Sequence, residues 1–131
     1  MLLAIQSLNA PWFADIVNFV SNGKFLEEFN SQQRKKLIYD SKYYLWDEPY
    51  LWKLCSDGMI RRCVGEEETG SIVQYCHGMI NGGHFGPQRT VAKILEVEFF
   101  WPTIFHDARQ FVFNCDACQR SYNSSKKDEM L

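Results

Sequence analysis

The stretch His77-Gly-Met-Ile-Asn-Gly-Gly-His84, followed after thirty intervening residues by Cys115-Asp-Ala-Cys118, decides how this chain is read. Two imidazoles and a Cys-x-x-Cys pair supply four nitrogen or sulfur donors, the number a tetrahedral structural zinc ion takes. The histidines are too far apart to sit on adjacent turns of one helix. The chain must therefore leave a helix and curl back for both rings to reach one ion. Gly78, Gly82 and Gly83 permit the backbone angles and close approach such a curl needs. Zinc ligation by His77, His84, Cys115 and Cys118 is the reading that ligand type and spacing favour.

Competing readings of the same residues are weaker. A Cys-x-x-Cys pair can be a redox dithiol, but such a motif usually opens a helix after a strand, where the dipole lowers a thiol pKa. Here the pair follows a helical pattern. His106 lies within that pattern between Phe105 and Asp107 and is read as a bystander. Cys55 and Cys63 have no second donor at short spacing and are read as small hydrophobes in strands. Four protein ligands close the coordination sphere, which leaves no place for an activated water.

Between the ligands, Gly86-Pro87 starts a helix with proline where no amide is needed. Val91, Ile94 and Leu95 form its apolar stripe. Phe99-Phe100-Trp101 reads as an aromatic break, and Pro102 opens a last helix with Ile104, Phe105, Ala108, Phe111 and Val112 inward and Asp107, Arg109 and Gln110 outward. Phe99, Phe100, Trp101, Phe105 and Phe111 are the expected core of this module. About fifty residues give a marginal core, and structural zinc supplies on the order of 10–16 kcal/mol of apparent binding energy coupled to folding.

Upstream, Trp12 to Val20 shows helical spacing after Pro11 and stops at Asn22-Gly23. A second helix starts near Ser31 and carries Arg34-Lys35-Lys36 as a solvated face. Residues 43–64 read as a three-stranded meander with turns at Asp47-Glu48-Pro49 and Ser56-Asp57-Gly58. After Gly65, the three acidic residues Glu66, Glu67 and Glu68 suit a helix start. That helix delivers His77 at its end, with Gly78 as cap.

With 131 residues, 14 Lys+Arg and 16 Asp+Glu, the charge balance argues against strong non-specific nucleic-acid binding. Five cysteines and no secretory signal argue against a disulfide framework and for an intracellular compartment. Met1-Leu-Leu-Ala-Ile lacks a basic flank and is too short to span a bilayer.

His77 to Asn123 resembles the zinc-binding HHCC domain of integrases in gypsy-type LTR retrotransposon polyproteins. The resemblance rests on Gly83-His84-Phe85-Gly86, the Thr90/Ala92/Ile94-Leu95 helix, Phe100-Trp101-Pro102-Thr103, Asp107-Ala108 and Cys115-x-x-Cys118-Gln119-Arg120. Residues 11–65 are similar, less distinctively, to the segment that precedes that domain. Glu98 departs from the pattern, since relatives commonly have glycine before the aromatic pair.

The resemblance implies an α+β, mainly α fold. A zinc-stabilised three-helix bundle resembling a helix-turn-helix follows helices and a short antiparallel β-meander. Residues 1–65 would be an N-terminal extension, 66–123 the HHCC domain and 124–131 a polar tail. The family's ligands fall on His77, His84, Cys115 and Cys118. The implied role is non-catalytic, supporting integrase multimerisation and DNA-end binding with one structural zinc. The Asp/Asp/Glu catalytic core is expected downstream, beyond Leu131. Implied partners are other integrase subunits and, weakly, DNA, with no membrane and no small-molecule substrate. The family implies a nuclear or virus-like-particle location.

Three other readings compete. A decayed or repurposed retroelement fragment would still act as a protein-interaction or DNA-binding zinc module. A transcription-factor zinc finger has its Cys pair before its His pair, the reverse of the order here. A Cys-His hydrolase built on Cys76 lacks a nucleophile elbow.

Overall fold

The computed structural model describes residues 10–79 and 86–115. Its contacts divide the chain into two compact units. One holds the residues up to Glu66 together with Glu98–Phe100. The other holds Glu67–Val97 and the residues from Trp101 onward. Among the described residues the fold is α+β, with five α-helices and a four-stranded sheet.

The first unit opens with helix α1, Ala14–Asn22, which ends where Gly23 adopts the left-handed conformation at φ 70°. Asn22-Gly23 is thus the stop that the sequence announces. Helix α2, Ser31–Ser41, begins with a reciprocal capping box: the Asn30 side chain accepts from the Gln33 amide, and the Gln33 side chain accepts from the Asn30 amide. Its Arg34-Lys35-Lys36 run is exposed, as a solvated face requires.

Strands β1 (Tyr44–Asp47), β2 (Tyr50–Leu54) and β3 (Ile60–Cys63) form the expected antiparallel meander. Cys55 lies just beyond the end of β2 rather than inside a strand. A fourth strand, β4 at Phe99–Phe100, pairs parallel with β3, placing Phe99 beside Arg62 and Phe100 beside Cys63. The expected aromatic break is therefore a strand. Glu98, just before it, has φ 69°. Its carbonyl accepts the Arg62 amide at 2.9 Å, and the Phe100 carbonyl accepts the Val64 amide at 3.0 Å.

Alternation sends Leu51 and Cys63 to one face of the sheet, where Val17 of α1 closes a core with Trp12, Phe13, Ile16, Tyr44, Trp46 and Phe100 packed around it. Trp12 anchors the entry to α1 by donating from Nε1 to the Val64 carbonyl at 2.7 Å. Arg61 shares the core-facing side but is only 7 % exposed. Its guanidinium forks onto Asp57, with Nη1–Oδ1 at 3.0 Å and Nη2–Oδ2 at 2.8 Å.

The second unit contains α3 (Glu66–Gln74), α4 (Pro87–Glu96) and α5 (Ile104–Phe113). A π-helical turn, Tyr75–Met79, continues α3, so Gly78 lies inside that turn instead of capping an α-helix. Pro87 occupies the first turn of α4 as expected, and α4 packs on α5 and on the π turn. Val91 and Ile94 are buried and Leu95 is half-buried. Three core assignments need correcting. Phe105 is 58 % exposed, and Phe99 and Phe100 belong to the sheet of the first unit. The core of the second unit is instead Val73, Cys76, His77, Thr90, Val91, Ile94, Trp101, Ile104 and Ala108. Asp107 turns partly inward because it accepts from Trp101 Nε1 at 2.7 Å and from the Thr103 hydroxyl at 3.0 Å. No helix of the described residues is long and apolar enough to cross a membrane.

Candidate metal centre

His77 is the centre of the second unit. It sits in the π turn and is 1 % exposed. A π turn holds five residues per hydrogen-bonded loop and commonly marks a functional position inside a helix. Burying an imidazole is costly unless its ring nitrogens are engaged. Two neighbours fix this ring. Thr90, fully buried on α4, brings Oγ1 to 3.5 Å from His77 Nδ1. Phe111 of α5 meets the ring edge-on, with centroids 5.4 Å apart at 73°.

Phe111 lies in the last turn of α5, and the chain passes through Asn114 to Cys115. The Cys115 amide donates to the Val112 carbonyl at 3.2 Å, so this thiol is carried on a tightened final turn. Cys115 is half-buried. The helix that bears the first cysteine is thus the one that packs its last apolar turn on the first histidine. His84, Gly82, Gly83 and Cys118 lie outside the described residues. Among the described residues no three metal-binding side chains cluster.

The remaining candidates behave as bland residues. His106 is exposed on α5. Cys55, Cys63 and Cys76 are free thiols. Burial pushes the Cys63 thiol up to about 12, with the neighbouring Cys55 adding to it. Burial likewise pushes the Cys76 thiol up, which suits a packed thiol and not a nucleophile.

A divalent zinc ion fits what is present. Where the Thr90 hydroxyl accepts from Nδ1–H, the neutral ring presents Nε2 as the metal donor. A His/Cys donor set is among those that hold structural zinc. Thr90 is the residue that spacing does not reveal. Its signals are its place beside Val91 on the buried stripe of α4 and its membership of the helix that carries part of the family resemblance.

Residues 64–124 match the sequence pattern of the integrase zinc binding domain. That segment is similar to the zinc-binding domain of integrases. The matched pattern is that of a zinc-binding domain, which points to zinc as the ion. The chain is also similar to proteins called gypsy retrotransposon integrase-like protein 1. Those of Pongo abelii and Homo sapiens are each 25% identical over 111 residues, covering 83% of this chain and 21% of the relative. An uncharacterised mitochondrial protein of Arabidopsis thaliana is 54% identical over 37 residues, 28% of this chain and 31% of that protein. The chain thus spans about a fifth of the length of the integrase-like relatives.

Proposed function

We propose that residues 66–123 form a non-catalytic integrase module in which one structural zinc is held by His77, His84, Cys115 and Cys118. The observation that carries this reading is the setting of His77: deeply buried, edge-on to Phe111, with Thr90 at its Nδ1. When bound, the ion supplies a cross-link between the π turn and the end of α5. The residues of the chain do the rest. Thr90 and Phe111 orient the imidazole, and the turn at Val112–Cys115 presents the thiol.

With all four ligand places taken by protein, the module acts through its surface. That surface would support association of integrase subunits and weak binding to DNA ends. The modest charge of the segment fits weak binding. Residues 77–127 carry six basic residues (Arg89, Lys93, Arg109, Arg120, Lys126, Lys127) against four acidic ones (Glu96, Glu98, Asp107, Asp116). Two experiments test the role. Sedimentation of the full chain with and without zinc should show zinc-dependent self-association. Fluorescence anisotropy with a labelled DNA end should show weak binding with a shallow salt slope. A zinc-loaded chain that stays monomeric and ignores DNA ends would point instead to a repurposed fragment with another partner.

A further inference from the structure

Strand β1 is an edge of the sheet, paired among the described residues with β2 alone. The direction of its backbone groups follows from the bond that precedes it, in which the Leu54 amide donates to the Tyr43 carbonyl at 2.8 Å. Bonding positions alternate along an antiparallel pair. In the observed register, Leu45 and Asp47 therefore bond to Trp52 and Tyr50. Tyr44 and Trp46 turn their N–H and C=O groups the other way, out of the sheet. The far side of β2 keeps the same alternation, since the Cys55 amide donates to the Met59 carbonyl at 2.8 Å. Among the described residues none of the outward groups of Tyr44 and Trp46 has a backbone partner.

Open edges are commonly guarded by lysine, proline or a bulge, and the run Tyr44-Leu45-Trp46 carries none of these. Its middle residue, Leu45, is 59 % exposed. Pairing β1 with itself satisfies this edge in one register. A two-fold axis through Leu45 sets Tyr44 against Trp46 of the second copy and Leu45 against its own counterpart. All the outward amides and carbonyls are then used, whereas a shift of two residues in either direction uses only half of them. The side chains agree with this register. Tyr44 and Trp46, which pack on the core of Val17, Leu51 and Cys63, meet as aromatic cross-strand pairs. On the outer face the two Leu45 side chains cover each other. Lys42, just before the strand, comes level with Glu48, just after it, and both are exposed. Opposite charges therefore meet at each end of the seam.

We infer that the edge of β1 takes β1 of a second copy of this chain in this antiparallel register, so that two sheets become one. Taking a second copy as occupant rests on the self-association proposed above, although the edge lies in the first unit and not in the zinc module. So short a seam buries far less than the about 1,200–2,000 Å² of a stable interface, and the pair should come apart on dilution.

The test is amide hydrogen exchange, read residue by residue by NMR on the full, zinc-loaded chain, in a concentrated sample and after dilution, with sedimentation on both. The expected result is slow exchange at Tyr44 and Trp46 in the concentrated sample and exchange at least about tenfold faster after dilution, with Leu45 slow in both because it bonds to Trp52. Leu45→Lys sets two ammonium groups together at the centre of the seam and should abolish the dependence on concentration. Leu54→Lys, on the same outer face of β2, should leave it in place. The edge pairing is overturned by a chain that is monomeric in both samples, by Tyr44 and Trp46 amides that are slow in both, or by a Leu45→Lys chain that behaves as the unaltered one. It is also overturned by zinc-dependent association with Tyr44 and Trp46 fast throughout, an outcome that would leave the zinc module as the site of assembly. Concentration-dependent protection of the two amides, with association that ignores zinc, would uphold the edge pairing and count against zinc-dependent assembly.

Discussion

The imidazole of His77 stands edge-on to the ring of Phe111, 5.4 Å between centroids, so a residue of the π turn and a residue of α5 share one packed contact. With Thr90 at Nδ1, that contact sets the direction of the ring before any ion arrives. Thr90→Val keeps the volume and removes the hydroxyl, and zinc affinity should fall about tenfold, as removal of such outer partners does. Phe111→Ala should weaken zinc binding as well and also cost about 2 kcal/mol, less than the roughly 3–5 of a fully buried ring because Phe111 is half-buried. Competition with a zinc indicator and urea unfolding measure the two effects. Unchanged affinity in both variants would remove these residues from the account.

Glu98 adopts φ 69°, the left-handed region that glycine occupies without strain. Only its backbone carbonyl is needed for the bond from the Arg62 amide, and any residue supplies that. Glu98→Gly should therefore raise stability by about 1 kcal/mol, net of the greater freedom of glycine in the unfolded chain. A lowered melting temperature would show that the Glu98 side chain contributes more than its backbone strain costs.

Asp57 holds Arg61 by a two-pronged bond, and this bond, with help from the Met59 amide, keeps the Asp57 carboxyl below its ordinary value. The folded value lies below the unfolded one, near about 3.9 for a free aspartate. The stabilisation is thus present above about pH 4 and is lost as the pH falls through the lowered folded value. Asp57→Asn should lower stability at neutral pH and flatten the acid limb of the urea midpoint against pH. An acid limb of unchanged steepness would count against the pair.

Cys63 is buried with its thiol pushed up to about 12, whereas Cys55 sits half-buried past the end of β2. In the folded, zinc-loaded chain at about pH 8, iodoacetamide should modify Cys55 long before Cys63, because the thiolate is the reactive form. Peptide mapping reads the order. Equal rates at the two sites would mean that the core around Val17, Leu51 and Cys63 opens readily.

Much of the fold is legible in the sequence because the signals are local. Pro11 and Asn22-Gly23 bracket α1, Gly86-Pro87 starts α4, and the two Asp-containing turns separate the strands of the meander. The Asn30–Gln33 capping box that opens α2 is a local feature as well, found in the structure. What escapes is non-local. The strand Phe99–Phe100 is two residues long and exists because β3 offers it a parallel edge. The π turn at Tyr75–Met79 leaves no periodic trace, so it is met only in the structure. Phe105 looks like core by spacing but points outward, because Trp101, Ile104 and Ala108 already fill the interior. Of the proposed metal site, the candidate donors are read from their spacing, whereas the residues packed on His77 come from two other helices.

Metal analysis combined with native mass measurement on the full chain tests the central claim most directly. One zinc per chain is expected. Chelation should release it and unfold residues 77–118, and His84→Ala or Cys118→Ser should destabilise the module far more than Cys55→Ser. A folded chain with zinc near zero, or equal effects of Cys118→Ser and Cys55→Ser, would contradict it.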